Sequence, residues 1–222
     1  MLALRLQGVR EEFVPQPTVG GGVSRRAYSS YDLYIQHQKS KLEVLSSGDR
    51  FAVDGTDLQA YDVTFRAILR ERIQSLDVVG QGKSVLCLAA RLGTEVKAFL
   101  DCGCFAIGVD LNPGKDNPFV IPGDFHHLVF SAGSVDLVYC NSLDHAFDLE
   151  VLFAEIRRVL KSGGYFIADI PYGEPGRFES LSWESTDTIQ LAIQRHGFEV
   201  ERTFDFTRPW RGRCVLAAKA PE

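Results

Sequence analysis

Two short stretches carry the residue types that can do chemistry. In "NSLDHAFD", residues 141–148, the imidazole of His145 directly follows the carboxylate of Asp144. A histidine titrates near neutral pH, so it suits removal of a proton from a hydroxyl. Asp144 then orients it or contacts substrate. The alternative is that Asp144 caps the next helix and His145 packs against a bound ligand. In "VLCLAARLGTEV", residues 85–96, an apolar run breaks into a loop at Ala89, Ala90 and Arg91, then resumes as a helix from Gly93 and Thr94. Arg91 offers a planar fork that matches a carboxylate, and the helix start leaves N–H groups free for an acceptor. Its plain reading is a solvated loop residue. Asp110 and Leu111 close a second apolar run. A carboxylate there can accept from both hydroxyls of a ribose, or serve as a turn residue in "DLNPG". Asp124 and Phe125 pair an acceptor for an exocyclic amine with a ring that packs on a base.

Such residues work only if the backbone brings them to one place. Ser29 to Leu45 has apolar residues near helical spacing behind a serine cap, and residues 57–76 form a second helical run. From Gly80 the period changes to strands alternating with helices: strands at 84–90, 105–111, 134–141 and 165–171, a short one within 119–128, and helices at 93–103 and 147–164, the latter with a glycine stop. A further helix at 184–197 precedes two strands, 198–206 and 213–220, close enough to pair antiparallel. This order implies an α/β fold, a doubly wound and mostly parallel sheet covered by helices on both faces. Ligands of such sheets lie at the carboxyl ends of the strands, where Asp110, Asp124, Asn141 and His145 all fall. Three regions follow: an irregular Pro/Gly-rich leader at 1–27, a helical cap or lid at 28–79, and a ligand-binding domain at 80–222.

Composition narrows the function. The formal charge of −5 argues against a broad nucleic-acid-binding surface. No apolar run approaches the roughly 20 residues that span a bilayer, and the first residues acquire charge too early for a signal peptide; a cytoplasmic location is expected. Of five cysteines, Cys87, Cys140 and Cys214 sit in apolar runs as small hydrophobes, and the lone "CGC" at 102–104 lacks a second pair. Asp144 and His145 alone are too few for a metal, so none is expected. His126 and His127 read as a surface turn, the alternative being that one of them lines the pocket, and His196 as a helix cap.

Five pieces in order resemble the class I S-adenosylmethionine-dependent methyltransferases over about residues 80–220: "VLCLAARLGTEV", "GVDLNP", "PGDFHHLVF", "SVDLVYCNSLDH" and "EIRRVLKSGGYFIAD". The resemblance implies a Rossmann-like seven-stranded sheet with an antiparallel C-terminal strand and an N-terminal helical cap. It implies S-adenosyl-L-methionine as cofactor, held by Ala89, Ala90, Arg91, Gly93, Thr94, Asp110, Leu111, Asp124, Phe125 and Asn141. His37 would close over it with Tyr34, Gln38 and Lys41 from the cap helix. The first motif departs from the family pattern D-x-G-x-G-x-G: Cys87 replaces the acid, Ala89 and Arg91 replace two glycines, and Gly93 alone remains. Alanine is tolerable if its φ is negative. The expected reaction is O-methylation of a small polar metabolite or glycan, with no nucleic acid or membrane partner; Trp210 in "RPWRG" suits stacking on a sugar. The alternatives are a catalytically silent scaffold subunit and, lacking G-x-G-x-x-G, an NAD-binding oxidoreductase.

Overall fold

A computed structural model describes residues 9–16, 21–41 and 57–221. In chain order these form β1 (Val9–Pro15), β2 (Val23–Tyr28), α1 (Tyr31–Ser40), α2 (Leu58–Gln74), β3 (Ser84–Leu88), α3 (Thr94–Asp101), β4 (Phe105–Asp110), β5 (Val120–Pro122) and β6 (Val135–Cys140). A single 3-10 turn, Leu143–His145, precedes α4 (Leu149–Val159), β7 (Leu160–Pro171), β8 (Leu181–Trp183), α5 (Thr186–Arg195), β9 (Phe198–Phe206) and β10 (Gly212–Lys219).

The continuous apolar run of β3 is explained by its place. It pairs in parallel with β4 on one side and β6 on the other, and Val85 to Leu88 are buried between two helical layers. The sheet order is β5-β4-β3-β6-β7-β10-β9, with β10 antiparallel to both β7 and β9. This is the expected seven-stranded, mostly parallel architecture. Its order reverses direction between β3 and β6, so the crevice at their carboxyl ends is the topological switch point.

Each face has its own core. On one, α4 buries Leu149, Leu152, Phe153, Ile156 and Val159 against the sheet and α5. This stripe recurs every three or four residues, and each fully buried side chain stabilises by roughly 1.5–3 kcal/mol. Asp148 caps the helix, its Oδ1 accepting from the N–H groups of Glu150 and Val151. On the other face, α2 packs Phe65, Leu69 and Ile73 with Val96 and Phe99 of α3. So α2 packs its apolar side into the helical layer, while its first turns and α1 border the crevice.

Three expectations are corrected. The leader is not irregular where it is described: β1 and β2 form an antiparallel hairpin, and β2 pairs with β8 through Arg25 opposite Leu181. Its Pro/Gly content reads as loop because the pairing partner is about 150 residues away in sequence. The first helix ends at Ser40 with Lys41 as C-cap; residues 42–45 lie outside the described residues. Finally, α4 has no glycine stop. The chain passes from Val159 directly into β7, and Gly163, at φ 69°, falls within that strand where its pairing with β6 shifts register.

Candidate active site

Tyr34, Gln38 and Lys41 recur at i, i+4 and i+7, so one side of α1 presents all three. They close a narrow cleft lined also by Ala89, Arg91, Asp110, Leu111, Gly123, Phe125, Ser142 and His145. The helix is tied down from both ends. Tyr31 donates its hydroxyl proton to Asp124, Tyr34 donates to the carbonyl of His145 at 3.0 Å, and Gln38 donates to the Phe178 carbonyl and to Ser180 Oγ, both at 2.8 Å.

The first-motif loop holds an unusual backbone. Ala89 has φ 52° and Arg91 φ 41°, with Gly93 at 79°. The condition under which alanine would be harmless therefore fails, because both replacements of glycine sit in the left-handed region. Such a conformation costs an L-residue about 1–2 kcal/mol. Asp110 holds the loop in place: its Oδ2 accepts from the Arg91 N–H and its Oδ1 from the Asn112 N–H, both at 2.9 Å. Burial pushes the Asp110 carboxyl above its usual range, against these two hydrogen bonds. We expect Ala89→Gly to relieve the strain and raise the melting temperature by about 2–4 °C, the equivalent of ~1 kcal/mol; an unchanged or lower melting point would show that the backbone is not strained there.

The second cavity adjoins the first and shares Lys41, Ala89, Arg91, Ser142 and His145 with it. Its own walls are Leu58, Tyr61, Pro171 and Trp210, and Asp144, Glu179 and Glu95 face it. Ala90, Thr94 and Asn141 line this recess rather than the cleft under α1. Thr94 donates its hydroxyl proton to Asp62, and Asn141 donates to Glu95 Oε1 at 3.0 Å. Burial raises the Glu95 carboxyl to about 7.

His145 stands where the two cavities meet. Its Nδ1 lies 3.0 Å from Gln38 Oε1 and 3.2 Å from the Phe178 carbonyl, two acceptors, while its Nε2 lies 2.9 Å from Lys41 Nζ. The ring proton is therefore on Nδ1 and the Nε2 lone pair faces the cavities. Burial, then the charges of Lys41 and Arg91, hold its pKa well below the usual histidine value. Burial, then Arg91, lowers Lys41 to about 8.

Several expected residues have other places. Gln38 and Phe178 orient His145, not Asp144. Asp144 instead has a buried Oδ1 without a hydrogen-bond partner, and burial together with the nearby Glu179 raises its carboxyl to about 7. Asp124 does not reach the cleft. Its carboxylate accepts from Tyr31 and from His126, and these hydrogen bonds outweigh burial and lower its pKa. His126 is buried, not on a surface turn. Its Nε2 accepts from the N–H groups of Phe147 and Asp148, which leaves the Nδ1 proton for Asp124. His37, one position off the cleft-facing series of α1, bonds Tyr28 and stacks on Phe178, and it does not line the cleft. Gly93 caps α3, where an added Cβ would meet Phe119 Cβ at 2.7 Å.

Glu179 had no sequence signal. It follows β7 in an irregular segment, and the hydrogen bond from the Ser180 N–H to the Asp144 carbonyl, 2.7 Å, draws it beside the 3-10 turn. With Glu179, the expectation that no third metal-ligating group joins Asp144 and His145 is corrected: ligand atoms of the three lie within 4.8 Å of one another.

Comparison with known proteins agrees with this geometry. Residues 76–168 match the family model described as a methyltransferase domain. No curated protein sequence matches the chain. A chain of the complex between the Haloferax volcanii Trm112 methyltransferase activator and a methyltransferase superposes with a TM-score of 0.61 at 18% identity, over 84% of this chain and 98% of that one. A SAM-dependent methyltransferase from Aquifex aeolicus gives 0.57 at 12% identity, over 74% and 94%. The geranyl diphosphate C-methyltransferase from Streptomyces coelicolor, in complex with Mg2+, geranyl-S-thiolodiphosphate and S-adenosyl-L-homocysteine, gives 0.54 at 17%, over 69% and 76%. Residues 76–168 thus carry a methyltransferase domain, and the strand order is the fold of the S-adenosylmethionine-dependent methyltransferases on which the chain superposes.

Proposed function

We propose that this chain binds S-adenosylmethionine in the cleft under α1 and directs its methyl group to a hydroxyl of a small polar acceptor, a metabolite or a sugar, in the adjoining recess. The observation that carries this reading is His145, whose unprotonated Nε2 opens at the junction of the two cavities while Nδ1 is fixed by Gln38 and Phe178. When bound, the cofactor supplies an electrophilic methyl carbon and takes the electron pair of the broken carbon–sulfur bond as S-adenosylhomocysteine.

The residues present fit that cofactor. Asp110 keeps acceptor capacity beyond its two backbone bonds, for the ribose hydroxyls. Leu111 and Phe125 offer apolar surface for the base. Arg91, at the mouth of both cavities, faces the amino-acid end and would pair with its carboxylate. The acceptor hydroxyl donates to His145 Nε2 in the position now taken by Lys41 Nζ, the oxygen forms the new bond to the methyl carbon, and the proton remains on the imidazole. Positioning supplies most of the rate, since the sulfonium already provides the leaving group.

A second reading, a silent partner subunit, draws on the strained Ala89 and Arg91 and on the Haloferax chain's complex with an activator. Thermal unfolding separates the readings. S-adenosylmethionine and S-adenosylhomocysteine should each raise the melting temperature, by the equivalent of about 2.7 kcal/mol at 100 times Kd, and NAD should not. A shift with NAD alone would indicate an oxidoreductase. No shift with any of the three, together with a stable hetero-complex, would support the silent subunit.

A further inference from the structure

Two carboxylates, those of Asp144 and Glu179, line the recess with a ligand atom of each within 4.8 Å of the other. Asp144 Oδ1 and Glu179 Oε2 are both buried and without a hydrogen-bond partner, and among the described residues no lysine or arginine pairs with either group. Lys41 is directed to His145 Nε2, and from there its charge acts on both carboxylates without a hydrogen bond to either. Paired carboxylates withdrawn from water need a positive partner or a proton. The walls beside them are Trp210, Tyr61, Leu58 and Pro171. Aromatic faces attract an organic cation, whereas a metal ion seeks only donor atoms. The distance from His145 Nε2 to Glu179 Oε1, 4.0 Å, is also wide for two neighbouring ligands of one small ion, whose bonds are about 2.0–2.2 Å each.

We propose that the recess selects a positively charged acceptor, a hydroxylated organic amine whose ammonium sits between Asp144 and Glu179 and packs on Trp210. The inference rests on the reading of the recess as the acceptor site. Asp144 and Glu179 select the amine, and His145, on the cofactor side of them, serves its hydroxyl. Lys41 shows that an alkylammonium is accommodated in this cavity, since its own lies within it. The anchoring is built into the fold: Arg26 donates from Nε to the Glu179 carbonyl at 3.0 Å and is itself buried, which fixes the segment that carries the second carboxylate.

The test is calorimetric titration of the full chain, saturated with S-adenosylhomocysteine, using 3-amino-1-propanol, 1,3-propanediol and 3-hydroxypropanoate as probes. The amine should bind at least tenfold more tightly than the diol, and the acid not at all. Glu179→Gln should bring the amine to the level of the diol, and Trp210→Leu should weaken it about threefold or more, with the melting shift from S-adenosylhomocysteine kept in both. Asp144→Asn provides the same readout should Glu179→Gln fail to fold. Equal binding of amine and diol, or a preference that survives in both carboxylate variants, overturns the proposal. So does stoichiometric binding of Mn2+ that excludes the amine, which would make the trio a metal site. If S-adenosylhomocysteine itself gives no melting shift, the failure lies with the cofactor reading and not with the cation.

Discussion

His145→Ala lowers kcat by about 10²–10⁴-fold with any hydroxyl acceptor that turns over, and leaves the affinity for S-adenosylhomocysteine within a few-fold of the parent. This is the usual size of a lost general base. The split between kcat and cofactor affinity follows from where the ring lies, since only its Nε2 faces the reacting groups and its other nitrogen is held by Gln38 and Phe178. The pH dependence carries a sign that separates this role from a merely structural one. The folded protein holds His145 below its ordinary pKa, so Nε2 is already unprotonated at neutral pH, and acidification must go well below 6.5 before the base is lost. The wild-type kcat should therefore show no acid limb centred at 6.5. Gln38→Ala removes one of the two acceptors that fix the ring proton and should lower kcat with a smaller effect. A variant lacking His145 with undiminished kcat would exclude the base, and would shift attention to Lys41, whose pKa of about 8 suits the same task.

Asp110→Ala is the second large effect. Two hydrogen bonds from ribose hydroxyls to a buried carboxylate are each worth roughly 1.5–3 kcal/mol, so a loss of about 100-fold or more in affinity for S-adenosylhomocysteine is expected. The same substitution leaves the Arg91 and Asn112 N–H groups without their acceptor and so loosens the loop that carries Arg91. Asp110→Asn keeps one acceptor oxygen and should fall between the two. Calorimetric titration with S-adenosylhomocysteine checks this, with circular dichroism to show that the variants are folded. A folded Asp110→Ala protein that binds the cofactor as tightly as the parent would remove the ribose role.

Some of this was readable because it is local. The periods of 2 and 3.6 and the serine and aspartate caps report on neighbours in sequence, so most strands from 84 to 220 and the helices between them could be placed within a few residues, although β8 left no such signal and α4 ends five residues before the expected glycine stop. In a parallel sheet, the end of a strand is also a position in space. That is why Asp110, Leu111, Phe125 and His145 could be assigned to one crevice before any coordinate was known, and why the structure brings them to it.

What the chain alone left open depends on contacts between distant segments or on torsions that residue type does not fix. The sheet of β1, β2 and β8 joins residues about 150 apart and leaves no periodic trace. Glu179 reaches Asp144 only through a backbone bond made by that same arrangement. His37 and Gln38 are adjacent in sequence, yet one helical step of about 100° sends the first to Tyr28 and the second to the cleft. Asp124 lies at a strand end like Asp110, but Tyr31 and His126 take its carboxylate. Ala89 and Arg91 stand at glycine positions, and the sign of φ there is set by the fold rather than by the side chain. Sequence by itself determined which elements form and which residues lie at the strand ends, because those are short-range consequences of patterning. Tertiary structure decided which way each side chain faces and which carboxylates meet, because orientation is settled only when elements far apart in the chain pack together.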